Sequence, residues 1–515
     1  MSSFSSSSLP SSNLPVKPIP GDYGLPFFGA FKDLLDYFTT RKKGNSNKSK
    51  LYIYPQISFV AKIMLKARNF ICFYNQGQDE FFHSRVTKHN STVFKTNMPP
   101  GPFMASNPRV IALLDAASFP VLFDTSKVEK RNVLDGTFFP SVKFTGGHRV
   151  CAYLDPSEPN HTALKSYFLS VLAKKHDNFV PLFRTCLSEL FIDVEDEMAN
   201  KREANFNTLN DQMSFNFFVR LFSDKKQVDS IIGPKLFDKW LFLQLAPLMT
   251  LGVPKLLNFV EDFLLHTFPL PSFLVKSDYN KLYEAFYAFS GSVLDEAETF
   301  GINREETCHN LVFLAGFNAY GGSKTLFPAL IKWVGLAGEK LHRQLADEIR
   351  TVVKAEGGVT LSALDQMVLT KSVVDEALRI EPPVPFQYGN AKVDMVVQSH
   401  NAAFEIKKGD MIFGCQPFAT KDPRVFDSPE EFVGQRFVGD QGEKLLKYVY
   451  WSNGRETNDP TAENKQCPGK NLMVLLSRVM LVELFLRYDT FTVEAGKLML
   501  GSSVTFKSLT KATST

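Results

Sequence analysis

Near its C-terminal end the chain reads Asn464-Lys465-Gln466-Cys467-Pro468-Gly469-Lys470, followed at helical spacing by Leu472, Leu475, Leu476 and Val479. A cysteine just ahead of a helix meets N–H dipoles that favour thiolate over thiol, and thiolate is the form that binds iron. Gly469 lets the backbone approach a flat macrocycle closely. Lys465, two residues before the cysteine, can reach an anionic group on the rim of such a ring. Upstream, Glu376 and Arg379 lie three apart on one helix face, where a carboxylate and a guanidinium pair. Alone this ExxR pattern is a common surface decoration. After it come Asp422-Pro423, Phe426 and Glu431-Phe432 … Arg436-Phe437, which supply a second arginine. The three motifs follow in the order ExxR, Arg-Phe, Cys-x-Gly.

Helices must position these groups. The stretch from Glu305 to Trp333 is long and largely apolar, with Glu305 and Glu306 at its start, as suits a buried central helix with acids at the positive end of its dipole. Leu341, Leu345, Ile349 and Val352 recur at helical spacing up to Gly357-Gly358, which stops that helix. A helix from Gln366 to Ile380 carries the ExxR pair and ends before Pro382-Pro383. Strand-like pieces surround Ala403–Ile406 and Met411–Phe413. The expected class is mainly α with small β-sheets, in one domain over residues 19–515 behind a flexible Ser/Pro-rich start at 1–18.

Composition narrows the function. Hydrophobic residues make up 44% and charged residues 22% of the 515, which fits a large globular core. A net charge of +4 is too small to suggest a nucleic-acid partner. The six cysteines (Cys72, Cys151, Cys186, Cys308, Cys415, Cys467) form no CxxC pair and suit a reducing compartment, with five expected as small buried hydrophobes. There is no secretory h-region and no run of about 20 apolar residues, so the expected location is cytoplasmic rather than plastidial. One segment stands apart. Thr39–Phe73 holds eight basic residues and no acid, so the other residues balance 50 basic against 54 acidic, a net −4. Its second half mixes apolar residues with Lys and Arg, and would promote association with a membrane or lipid body if it belongs to the protein.

With these motifs the chain resembles the haem-thiolate cytochromes P450, which implies their single-domain fold and a haem b cofactor on Cys467. The superfamily's usual Phe-x-x-Gly-x-Arg-x-Cys-x-Gly loop is longer here, with Arg455 to Gln466 between Trp451-Ser452-Asn453-Gly454 and Cys467. That loop resembles the plant branch that metabolises fatty-acid hydroperoxides: allene oxide synthases, hydroperoxide lyases and divinyl ether synthases. Monooxygenases carry an acid followed by Thr or Ser on the central helix to deliver protons to dioxygen. This chain reads Ala315-Gly316-Phe317-Asn318-Ala319-Tyr320 there. An amide can still hydrogen-bond a peroxide oxygen, and a substrate that brings its own O–O bond needs neither dioxygen nor a reductase. The resemblance implies that Lys130, His161, Lys165 and Lys465 contact haem propionates, and that Asn318 and Lys324 contact substrate. In that branch Asp-Tyr-Phe runs directly into Tyr-Asn-Gln-Gly. Here Asp36-Tyr37-Phe38 and Tyr74-Asn75-Gln76-Gly77 are parted, so residues 39–73 read as an insertion.

The branch members share homolytic opening of the peroxide and diverge in the fate of the resulting epoxyallylic radical. Dehydration needs support for a developing cation, which a Phe ring supplies through its negative face. Synthases of the branch place that Phe after Lys-Asp-Leu; here Lys130-Arg131-Asn132-Val133 leads to Leu134, as in lyases. Ala319 likewise resembles lyases, where synthases carry Ser or Thr. The expectation is therefore a lyase that cleaves polyunsaturated fatty-acid 9- or 13-hydroperoxides to a short aldehyde and an oxo acid. Allene oxide synthase is the alternative, and divinyl ether synthase comes after it.

Overall fold

The long central helix begins where Asn303 caps it, its side-chain oxygen accepting from the Glu306 N–H at 2.8 Å. In the computed structural model, which describes residues 14–24, 33, 76–99, 104, 107–134, 138–224, 232–248, 265, 269–498 and 501–513, this helix runs from Arg304 to Ala337. Much of it is apolar and lies inside: Leu311, Val312, Phe327, Leu330, Ile331 and Val334 are fully buried. Each such side chain contributes roughly 1.5–3 kcal/mol of burial. The sequence predicts an uninterrupted helix, but residues Leu314–Tyr320 are wound as a π-helix, widening the turn that carries Asn318. Gly316 sits inside this wide turn, and a Cβ there would lie 2.3 Å from the Phe237 ring of the Pro234–Leu245 helix.

Among the described residues, helices Phe206–Phe222, Lys276–Phe289, Gly291–Glu298, Val368–Ile380 and Lys470–Arg487 are among those that pack against it. One large hydrophobic cluster joins all of them. The helix expected over Gln366–Ile380 is Val368–Ile380, set off at Met367 from a short helix at Leu361–Gln366. Glu339–Ala355 matches the predicted amphipathic helix and stops before Gly357, whose φ is +68°.

The β structure is small and lies to one side. A five-stranded sheet has the order Val93–Asn97, Arg109–Leu113, Met411–Cys415, Phe386–Ala391, Val128–Glu129, with only the Arg109–Leu113/Met411–Cys415 pair parallel. Val16–Lys17, Ala403–Ile406 and Met395–Gln398 form a second sheet. Within the stretch expected to be flexible, Val16–Lys17 forms a strand that pairs in parallel with Ala403 and Phe404, and residues 1–13 lie outside the described residues. A third sheet joins Tyr488–Lys497, Ser502–Lys511 and Ala204–Asn205. The predicted insertion at 39–73 lies outside the described residues. Of the cysteines expected in the interior, Cys186, Cys308 and Cys415 are buried, Cys151 is half-buried, and Cys72 is outside the described residues.

Candidate haem-thiolate site

The loop from Tyr450 to Lys470 is folded back on itself. Tyr450 bridges to Arg455, and the Trp451 indole N–H donates to Glu456 at 2.6 Å. Gln466 donates to Ser452 Oγ and to the Arg455 carbonyl, spanning the extra residues. Lys470 Nζ donates to the carbonyls of Glu456 and Asn458 at 2.6 and 2.9 Å. The Cys467 N–H donates to the Ser452 carbonyl at 2.8 Å, and helix Lys470–Arg487 begins just beyond. The longer loop thus delivers its cysteine to a helix start as a short one would. The helix-start N–H groups do act on the Cys467 thiol, and burial opposes them. Burial pushes the Cys467 thiol above its ordinary range, and the Gly469 N–H and the Lys165 charge offset only part of that. A coordinated metal, which deprotonates a thiol outright, is what this cysteine needs to become a thiolate.

Four predicted haem contacts come from three parts of the chain. Lys130 follows the edge strand Val128–Glu129, His161 and Lys165 lie on helix Pro159–Lys174, and Lys465 is in the cysteine loop. Lys130 Nζ donates to Gln387 Oε1 at 2.9 Å and to Asn453 Oδ1. Lys165 Nζ donates to the Asn464 carbonyl and to Asn464 Oδ1, at 2.5 and 2.9 Å. Lys465 Nζ donates to the carbonyls of Cys151, Ala152 and Leu154. All of these partners are neutral. Among the described residues none of the three ammonium groups pairs with a carboxylate, although Lys130 and Lys165 are 7% and 2% exposed. Burial and then the Lys465 charge push Lys130 down to about 7; burial also lowers Lys165 to about 8. Burial, with Lys465 and Lys165, takes His161 down to about 3, and its buried Nδ1 has no hydrogen-bond partner. Buried cations without counter-charge are costly, so the cluster is built for an anion carrying more than one negative charge. A haem with two propionates fits. Gly469 fits as well: the only atom within 4 Å of an added Cβ is Cys467 Sγ, at 3.9 Å, which leaves room for a ring against the backbone.

The ExxR pair is no surface decoration. Glu376 and Arg379 are fully buried and doubly bonded at 2.6 and 2.8 Å. Arg436 adds bonds of 2.9 and 3.0 Å to the same carboxylate, and the Val433 N–H a further one. The two guanidinium groups also donate to the carbonyls of Thr420, Asp427, Ser428, Pro429 and Glu431. Phe426 lies against both, at 5.1 and 5.8 Å. The triad fastens helix Val368–Ile380 to the segment leading to the cysteine loop.

On the central helix Asn318 is the exposed residue of a buried stretch, and its amide makes no hydrogen bond with the described residues. Phe317 beside it is half-buried and stacks on Phe313, with centroids 4.5 Å apart. Ala319 is half-buried, and Leu134 packs against the main core. Lys324 is engaged by Asp211 at 2.6 Å and Asp238 at 2.8 Å. Burial would lower its pKa, but those carboxylates outweigh burial and raise it. A substrate carboxylate would compete there with two resident acids. Two residues with no place in the sequence reading emerge from the geometry. Asn453 and Gln387 hold Lys130 in position. Asn453 has φ +60° in the Ser-Asn-Gly turn, a conformation asparagine tolerates, which is a usable sequence signal. Gln387 carries none.

The family model for Cytochrome P450 matches residues 338–499, which contain the ExxR helix and the cysteine loop. Allene oxide synthase 3 of Solanum lycopersicum is 53% identical over 99% of this chain and 96% of its own length. A chloroplastic allene oxide synthase of Linum usitatissimum is 50% identical over 97% of the chain and 87% of its own. The divinyl ether synthase CYP74D3 of Nicotiana tabacum is 48% identical over the whole of both chains.

Proposed function

Because the chain belongs to the cytochrome P450 family, in the branch of allene oxide and divinyl ether synthases, its cofactor is haem on a cysteine thiolate, and we propose that it transforms fatty-acid hydroperoxides without dioxygen or a reductase. The observation that carries this reading is Asn318-Ala319 on the π-helical turn, where an oxygen-activating enzyme needs an acid and a hydroxyl. We assign Cys467 as the axial ligand, and Lys130, His161, Lys165 and Lys465 as the propionate contacts. Haem-thiolate iron supplies homolytic cleavage of a peroxide O–O bond. The residues of the chain supply the rest. The free amide of Asn318 donates to a peroxide oxygen and orients it. The apolar walls of the widened turn, Phe317 and Ala319, exclude water. Neither carries an acid that would divert a proton to the oxygens.

For the product, the relatives favour dehydration to an allene oxide, and Phe317 provides an aromatic ring beside Asn318 that can support a developing cation. Dehydration is therefore the first reading here, in place of the cleavage expected from the sequence. Cleavage to an aldehyde and an oxo acid is the second reading, favoured by Leu134 and Ala319. The chloroplastic relatives favour a plastid over the cytoplasm. No described helix is long and apolar enough to cross a membrane. Purified holoprotein given linoleic acid 9- and 13-hydroperoxides without NADPH tests all of this. Ketols from allene oxide hydrolysis support the first reading, and short aldehydes support the second. Unconsumed hydroperoxide refutes both.

A further inference from the structure

Away from the haem contacts, the start of the central helix meets the loop that precedes Cys151. Glu305 and His309 stand four apart on that helix and so share a face; His148 comes from the loop. One donor atom from each of the three lies within 4.8 Å of those of the other two, and His148 Nε2 is 3.8 Å from Glu305 Oε1. We propose that His148, Glu305 and His309 form a binding site for a zinc-type divalent cation.

Several independent features fit a metal ligand set. His309 is 6% exposed, and its Nδ1 lies 2.6 Å from the Tyr279 hydroxyl. When Nδ1 carries the proton of that bond, the Nε2 lone pair is free, and Nε2 makes no other hydrogen bond. A ligating histidine is commonly oriented in this way through its other ring nitrogen. Tyr283 stacks on the same ring at 4.4 Å and Tyr279 at 5.8 Å, which fixes its plane.

Gly146, which has φ +65°, packs closely against the His309 ring. A Cβ at that position would lie 2.4 Å from His309 Nε2, where any other residue would crowd the coordinating atom. Two imidazoles and a carboxylate are a donor set that zinc takes, with water as a fourth ligand. Zn–N bonds of about 2.0–2.1 Å place tetrahedral donors roughly 3.3 Å apart. The side chains must therefore close in by about 1.5 Å at most, and the two that would move are the more exposed ones, His148 at 29% and Glu305 at 68%. A surface cavity of about 410 Å³, with His148, Arg149, Glu158 and Glu306 in its wall, adjoins the site on the His148 side. Since the Cys151 N–H donates to Asn310 at 2.8 Å, an ion here would fasten the same loop to the same helix a second time, just ahead of the carbonyls that hold Lys465.

Holoprotein dialysed against micromolar zinc and then against zinc-free buffer, with metal and haem measured by elemental analysis, tests the site. The expected result is about one zinc per haem, with zinc-edge absorption showing nitrogen and oxygen neighbours at ~2.0–2.1 Å. His148→Ala and Glu305→Gln are surface changes that should keep the haem content and lose the zinc. Tyr279→Phe leaves the ligands in place and should weaken zinc binding by about 10- to 100-fold. No retained zinc in the native protein, or zinc retained equally by His148→Ala and Glu305→Gln, overturns the proposal.

Discussion

Replacing Lys165 by Met removes one cation from the buried cluster and keeps most of its aliphatic length. The Lys165 ammonium is almost wholly buried and lies against the Asn464 carbonyl and side chain, with no carboxylate partner among the described residues. A fall in pKa from 10.5 to about 8 corresponds to roughly 3 kcal/mol of cost for keeping the charge inside, at about 1.36 kcal/mol per unit. The sign follows from the downward shift. The cost is fully present below the folded-state pKa of about 8 and fades as pH rises toward the ordinary lysine value. A bound propionate offsets it through a charge-assisted hydrogen bond of about 1.5–3 kcal/mol. Lys165→Met is therefore expected to loosen haem by roughly 10- to 150-fold, while leaving the haem-depleted chain as stable as the native one or more so. Haem transfer to excess apomyoglobin measures the first effect, and urea unfolding of haem-depleted protein at pH 7 measures the second. Unchanged haem release together with a destabilised chain would show that Lys165 only props Asn464, and would refute the reasoning.

Two further outcomes bear on neighbouring parts of the site. Glu376→Gln leaves two guanidinium groups facing a neutral amide in a fully buried position, so it should cost about 3–5 kcal/mol in guanidinium unfolding; a loss below about 1 kcal/mol would contradict the buried-triad account. Leu134→Phe adds an aromatic face worth about 0.5–2 kcal/mol to a nearby cation, so the ketol-to-aldehyde ratio should rise roughly 2- to 30-fold by product chromatography. An unchanged ratio would remove Leu134 as a determinant of the product.

The parts of the molecule legible in the sequence are those whose signal is local. The ExxR pair, the Glu339–Ala355 helix with its glycine stop and the cysteine before an apolar helix each depend on neighbours a few residues apart. Periodicity did not foresee the π-helical turn, because one extra residue in a turn leaves the apolar pattern almost unchanged and is stabilised by packing, here of Phe237 against Gly316. The break at Met367 was likewise invisible to it. At Cys467 the helix-start N–H group can be read from sequence, but the burial that opposes it cannot.

By itself the sequence determined the iron-binding motif, the mainly α class and the missing acid–hydroxyl pair at Asn318-Ala319, since each is a matter of residue type at fixed spacing. Only the tertiary structure decided which charges end up together. Lys130, His161, Lys165 and Lys465 converge with no direct ion pair to a carboxylate among the described residues, whereas Lys324 is met by Asp211 and Asp238. Glu305, an ordinary acid at a helix start in one dimension, faces His148 and His309 in three. Charge interactions depend on distance through space and on the water removed between groups, and neither quantity is written along the chain.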